Sequence, residues 1–364
     1  MNATTRLVPT ANNLTLVRLV LASAVIWTHC IWLVTGAEID DPTVALFGAP
    51  ISDFAVDGFF FLSGFLVYNS LLRRGSAWDF ARARLARLWP GLAVSVVVVT
   101  VVGYFAARLP AAQYLHGDTL RFIFSNLSLT KGHYTLTGVT VAGTPIAING
   151  SLWTIPWEVR CYILLFLASL LSLSRPTRIV PLLLVPTAVL VTLFHLPWVQ
   201  QWTAQHFGTG LLYYITTTDR LWTMFALGIA ALIVWPRLRL SWYVAGAGLV
   251  ALALSARFFP IPHLNSLVTG YCVLCAGFLT GTRSARWPDY SYGMYIYAYP
   301  AMLVVHALVP TQSYVVLAVL TLFATVPLAA LSWHFIEHPV LERVRGTRRS
   351  APAHPVAAAM ETGQ

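Results

Sequence analysis

The sequence predicts an all-α, polytopic membrane protein with about ten transmembrane helices and both termini in the cytoplasm. Three observations lead there. Apolar residues fill 57% of the 364 positions and charged residues only 10%, whereas a soluble domain carries roughly 25% charged residues. About ten apolar stretches approach the length of a membrane-spanning helix. The basic residues between them alternate in density. With the N-terminus inside, the inner segments hold 16 Arg and Lys and the outer ones 3. That asymmetry orients the chain by the positive-inside rule.

The expected spans lie near 14–35, 54–72, 89–107, 151–173, 179–195, 220–235, 242–257, 264–282, 290–309 and 313–335. The first is too long for the core of a signal peptide and has no cleavage site before the next polar loop, so it reads as a retained helix. The first outer loop, 36–53, is acidic. The first inner loop, 73–88, is the most basic. The second outer loop, 108–150, is long, and its apolar piece 120–129 can fold back into the membrane. Residues 1–345 read as one transmembrane domain. Residues 346–364, rich in Ala, Pro and Arg, read as a disordered cytoplasmic tail. No basic stripe interleaved with aromatics stands on a soluble face, which argues against a nucleic-acid partner. Lipid is the expected surroundings.

Ionisable side chains inside apolar spans are costly and point to function. The first span holds Arg18 and His29, eleven positions apart. Eleven helical steps return to within about 20° of the start, so both face one way, about 16 Å apart. Asp57 opens the second span. It can orient an imidazole as a carboxylate does in a hydrolase triad, or cap its helix. Arg84 and Arg87 share a helical side just before Pro90, a pattern that suits a phosphate ligand or contact with lipid headgroups. Glu158 lies inside the fourth span and needs a partner on another helix. Arg18 and His29 are candidates. Ser63-Gly64 reads as a close-packing pair. Cys272-x-x-Cys275 has no second pair to complete a metal site, and His334-Phe-Ile-Glu337-His338 matches a short zinc-protease pattern without an obvious third ligand. No metal is expected.

Six features in order resemble the membrane-bound acyltransferase family 3, the bacterial O-acyltransferases of surface polysaccharides and related acceptors. They are the Arg18–His29 pair, Phe59-Phe-Phe-Leu-Ser-Gly-Phe65, Phe80…Arg84…Arg87…Pro90, Ser151-Leu-Trp…Glu158…Tyr162, Ser291-Tyr-Gly-Met-Tyr-Ile-Tyr297…Pro300 and Phe335-Ile-Glu-His-Pro339. The resemblance implies a bacterial inner-membrane enzyme. It implies a cytoplasmic acyl-CoA donor, usually acetyl-CoA, and no permanently bound cofactor. It implies delivery of the acyl group to a hydroxyl of a glycan or small acceptor. It makes His29 the catalytic residue and Arg18 a donor-side or structural partner. Larger members carry an added hydrolase-like domain after the spans, which does not follow here. Many relatives have a His near the proline of the ninth span. This chain reads Tyr-Ala-Tyr-Pro there, so no catalytic role is expected at that point.

The chemistry agrees with the resemblance. Forming an ester from a thioester needs a base for the hydroxyl proton, and a neutral imidazole can serve near pH 7. Asp57 or Glu158 could steady it, or His29 could carry the acyl group itself. The competing class is a proton-coupled transporter or flippase that uses the same intramembrane charges, although no internal repeat is visible.

Overall fold

A computed structural model describes residues 11–73, 76–141, 143–194, 196–259, 261, 263–280, 284 and 286–349. Arg6, Arg74 and Arg283 of the inner loops, and 350–364 of the expected tail, lie outside the described residues.

The chain begins with α1 (Leu14–Thr35), which ends at Gly36 in the left-handed conformation, φ 85°. A Cβ is disfavoured there, so glycine is the natural stop. The start of α1 is tied down by Asn13. Its backbone N–H donates to the Gly277 carbonyl at 2.8 Å and its Oδ1 accepts from the Ser284 N–H at 2.9 Å. The acidic first loop folds into a short α2 (Pro42–Phe47), capped by Asp41, which accepts from the Thr43 N–H at 3.0 Å. Helix α3 (Ile51–Leu72) follows and is the most buried of the long helices.

Next comes α4 (Ala77–Ala107), capped by Ser76. The sequence suggests a span starting near Pro90. Instead one helix runs through that proline. Proline removes one backbone donor and disfavours the helix interior, so packing must hold the turn. Gly91 supplies it: a Cβ there would stand 2.9 Å from the Tyr292 ring. The long loop 108–150 holds α5 (Ala111–Tyr114) and α6 (Asp118–Leu127). Phe122 of α6 is fully buried, and the Trp89 indole donates to the Leu127 carbonyl at 3.3 Å. The apolar piece 120–129 therefore packs along α4. A two-residue antiparallel ladder, Thr140–Val141 with Thr144–Pro145, completes the loop.

A 3-10 turn (Gly150–Thr154) leads into α7 (Ile155–Leu170). Residues 176–194 form one irregular helix, α8 (Pro176–Ile179) and α9 (Val185–Phe194) joined by a π turn (Val180–Leu184). Pro181 and Pro186 fall in or beside that turn, and missing proline N–H groups favour such departures from the α ladder. Then follow α10 (Pro197–Phe207), α11 (Thr209–Val234), α12 (Trp242–Arg257), α13 (Leu264–Phe278), α14 (Ser291–Leu308) and α15 (Tyr314–Ser332). Helix α11 begins eleven residues before the expected span. A second π turn (Trp333–Glu337) joins α15 to α16 (His338–Arg349), so the helix passes Gly346, where the tail was expected to begin.

Each expected span overlaps helix, and among the described residues six helical segments are long and apolar enough to cross a membrane. Large apolar side chains on their outer faces, such as Phe105, Phe323 and Phe335, are at least 73% exposed. That surface suits lipid and not water. The fold is that of a multi-pass helical membrane protein.

The bundle centres on α3 and α11. Gly64 of α3 lies against the Phe225 carbonyl, and Gly228 of α11 against the Phe61 carbonyl, both too close to admit a Cβ. This reciprocal approach is the small-residue packing of membrane helices. Phe60, Phe61, Phe65 and Phe225 form the core around it.

Candidate active site

Side chains of α1, α3, α4, α7 and α14 line a cavity of about 130 Å³ that is mostly apolar but holds several ionisable groups. Arg18, Arg84, Arg87 and Glu158 all line it. Three ion pairs set Arg18 and Arg87. Asp289, just before α14, takes Arg18 Nη2 at 2.9 Å and Arg87 Nη2 at 2.6 Å on the same oxygen. Glu337 of the π turn takes Arg87 Nη1 at 3.2 Å and accepts from the Ser332 hydroxyl at 3.0 Å. Burial opposes a charge on Asp289, but Arg18 and Arg87 outweigh it and hold its pKa down at about 2. Among the described residues Arg84 meets no carboxylate. Its guanidinium lies 5.9 Å from the Tyr162 ring centroid, and among the described residues neither its buried Nε nor that of Arg18 has a hydrogen-bond partner. An unsatisfied buried donor is costly, and both belong to cavity-lining side chains.

Among the described residues Glu158 meets hydroxyls and not a cation. Its Oε1 accepts from Ser63 Oγ at 3.2 Å and from the Tyr162 hydroxyl. Ser63 therefore does more than the packing expected of it, while Gly64 beside it does pack. Arg160 faces away from Glu158, as the two-residue spacing requires. It donates to the Thr130 carbonyl at 3.0 Å and lies over Trp157.

His29 is not in the cavity lining. Thr154 and Tyr295 both line the cavity, with Thr154 Oγ1 and the Tyr295 hydroxyl 2.7 Å apart. Three residues before Thr154, Ser151 Oγ lies 3.5 Å from His29 Nε2, and the Tyr299 ring stands edge-on to the imidazole at 5.0 Å. Tyr299 belongs to the Tyr-Ala-Tyr-Pro segment, for which no catalytic role was expected. It packs on His29 without a hydrogen bond between them among the described residues.

Asp57 does not join this group. Its carboxylate is 1% exposed and accepts from Arg220 Nε of α11 at 2.8 Å, while Asp53 holds another nitrogen of the same guanidinium at 3.0 Å. Asp57 pairs with Arg220 across the α3–α11 contact, and among the described residues no contact joins it to His29. The zinc-protease pattern is likewise divided. His334 meets the Tyr290 hydroxyl at 3.0 Å, and Glu337 turns to Arg87.

Asp289, Glu337, Ser63, Tyr162, Ser151 and Arg220 were given no site role by the sequence. Asp289 was the most accessible of these, an acid directly before the Ser291-Tyr-Gly motif. The serines and Tyr162 stood in the motifs Phe59–Phe65 and Ser151…Tyr162 but carried no role there, since hydroxyls occur throughout apolar helices.

A family model described as "Acyltransferase domain" matches residues 12–334. "Nodulation protein 10" of Rhizobium leguminosarum bv. viciae is 30% identical over 91% of this chain and 93% of its own length. An "O-acetyl transferase" of Shigella phage Sf6 is 26% identical over 90% of this chain and 95% of its own. "Peptidoglycan O-acetyltransferase OatA" of Listeria monocytogenes is 27% identical over 78% of this chain, which spans half of that protein. No solved structure matches. A match over nearly the whole chain, together with these relatives, makes the protein an O-acyltransferase that belongs to acyltransferase family 3.

Proposed function

We propose that the protein moves an acyl group, acetyl by analogy with its relatives' names, from cytoplasmic acyl-CoA to a hydroxyl of a glycan or small hydroxylated acceptor. The bacterial inner membrane is the site of the reaction, with both termini cytoplasmic. The observation that carries this reading is the cavity with three guanidiniums, two of which keep an unpartnered buried Nε. Donors of this kind suit phosphate oxygens, and arginine offers several in fixed geometry. The phosphates of CoA would meet Arg18, Arg84 and Arg87, and the narrow pantetheine arm would pass inward beside Glu158. His29 takes the hydroxyl proton as the ester forms. Glu158 acts through Tyr162 and Ser63, and holds the cavity wall polar. Asp57 serves the structure through Arg220.

The test is acetyl-CoA consumption by the purified protein in detergent, with and without acceptor. Replacing Arg84 and Arg87 by Ala should raise the apparent KM for acetyl-CoA at least ten-fold, since each charge-assisted contact contributes roughly 1.5–3 kcal/mol. An unchanged KM in the folded double variant would leave these arginines as topology signals. Proton-coupled transport without any thioester cleavage would instead favour the transporter reading.

A further inference from the structure

Thr154 and Tyr295 line the donor cavity, and His29 does not. The 3-10 turn (Gly150–Thr154) links that lining to His29. In a 3-10 helix, side chains three residues apart eclipse each other, one turn of about 6 Å along the axis. Thr154 and Ser151 are such a pair. Thr154 lines the cavity, and Ser151 meets His29.

The turn is held firmly against α14. Asn149 Nδ2 donates to the Ile296 carbonyl at 2.7 Å. Gly150 lies so near Tyr299 that a Cβ would come within 2.9 Å of its ring. Tyr299 in turn packs edge-on against His29. Ser151 is 1% exposed, and among the described residues its hydroxyl meets no side chain except His29. A hydroxyl with an imidazole as its sole partner is the arrangement of an activated nucleophile, and such contacts run longer than usual in the absence of substrate.

We propose that Ser151 carries the acyl group as a covalent ester, with His29 as the base that activates it. The proposal rests on the acyl-CoA reading above. In the first half-reaction, Ser151 Oγ attacks the thioester carbonyl and its proton passes to His29 Nε2. The new C–O bond forms, the C–S bond breaks, and the departing sulfur takes the proton from the imidazolium, which gives free CoA thiol and acyl-Ser151. In the second, the acceptor hydroxyl attacks the ester carbonyl and gives its proton to His29, which passes it to Ser151 Oγ as that oxygen leaves. The sum is acyl-CoA plus alcohol to CoA plus ester, with no other reactant. Donor and acceptor need never occupy the site together.

The full-length protein in detergent is incubated with radiolabelled acetyl-CoA and no acceptor, quenched in acid, digested and mapped. The expected result is one acetyl ester, labile to hydroxylamine, on the peptide that contains Ser151, with a burst of CoA thiol equal to the enzyme present. With acceptor added, double-reciprocal plots should be parallel. Ser151→Ala should bind acetyl-CoA but form no adduct, and transfer should fall at least a hundred-fold. Ser151→Cys should form a thioester adduct, which separates loss of the nucleophile from loss of the fold. Intersecting plots, label on His29, or near wild-type transfer by Ser151→Ala would overturn the acyl-serine while leaving the acyl-CoA reading intact. A wild-type protein that cleaves no acetyl-CoA would overturn both.

Discussion

His29 contacts Ser151 and the Tyr299 ring, and the proposed function makes it the group that moves the proton. His29→Ala should lower transfer by at least roughly 10²-fold, the size of general-base assistance. His29→Gln keeps volume and hydrogen bonding but cannot take the proton, so it should be equally inactive while still binding acetyl-CoA. Near wild-type turnover by His29→Gln would reduce His29 to a packing residue and make Glu158 the next base to test. Asp289 allows a different test. Its folded pKa of about 2 lies below the ordinary carboxylate value, so its contribution to stability is present above about pH 4 and is lost as the pH falls toward 2. Asp289→Asn should therefore destabilise the protein at pH 7, on the order of 2 kcal/mol by linkage. The gap from wild type should narrow in acid, to roughly half at pH 3. Thermal unfolding in detergent at pH 7 and pH 3 measures both. Arg18, His29 and Glu158 were legible in the sequence because a charged or titratable group in an apolar stretch needs a reason. Ser151, Ser63 and Tyr162 were not, because the meaning of a hydroxyl lies wholly in what it faces.

At the scale of the element, the α3–α11 contact sets the frame around which the site is built. The Gly64–Gly228 crossing lets the two backbones meet, and Asp57 with Asp53 fixes the crossing through Arg220. Gly64→Ala should cost roughly 1–3 kcal/mol by overpacking. Arg220→Met leaves the Asp57 charge buried and alone, and should cost about 3–5 kcal/mol. Restoring neutrality with Asp57→Asn in the same chain should recover part of that loss. All three should lower the unfolding midpoint and leave the KM for acetyl-CoA unchanged in protein that remains folded. A KM shift in Arg220→Met would place Asp57 back at the active site. The apolar runs announced these helices. The sequence was less informative at α4, where proline was read as a boundary. Packing by Tyr292 against Gly91 carries the helix through it, and that partner is some two hundred residues away.

For the molecule as a whole, the orientation across the membrane decides from which side the donor enters. The 16-to-3 asymmetry of basic residues predicts that the start of α4 faces the cytoplasm and the ladder at 140–145 faces out. In a cysteine-free background, a cysteine at Thr140 should react with an impermeant reagent in intact cells. One at Arg82 should react only after the membrane is opened. The opposite pattern would reverse the orientation and move the phosphate site away from cytoplasmic acyl-CoA.

The sequence alone determined that the chain is helical and apolar enough to cross a membrane several times, and which few ionisable residues break that pattern. Both follow from local rules, because a bilayer demands long apolar runs and penalises every exception. Tertiary structure decided which exceptions belong together. Arg18, Arg84, Arg87 and Glu158 converge on one cavity, while Asp57, equally conspicuous in the sequence, is neutralised by Arg220 elsewhere. It also decided that a 3-10 turn at the end of the loop 108–150 brings Ser151 to His29, 122 positions away. Such pairings depend on how helices cross and where their carboxylates find cations. Those choices are made between distant segments, and the pattern within any one segment does not encode them.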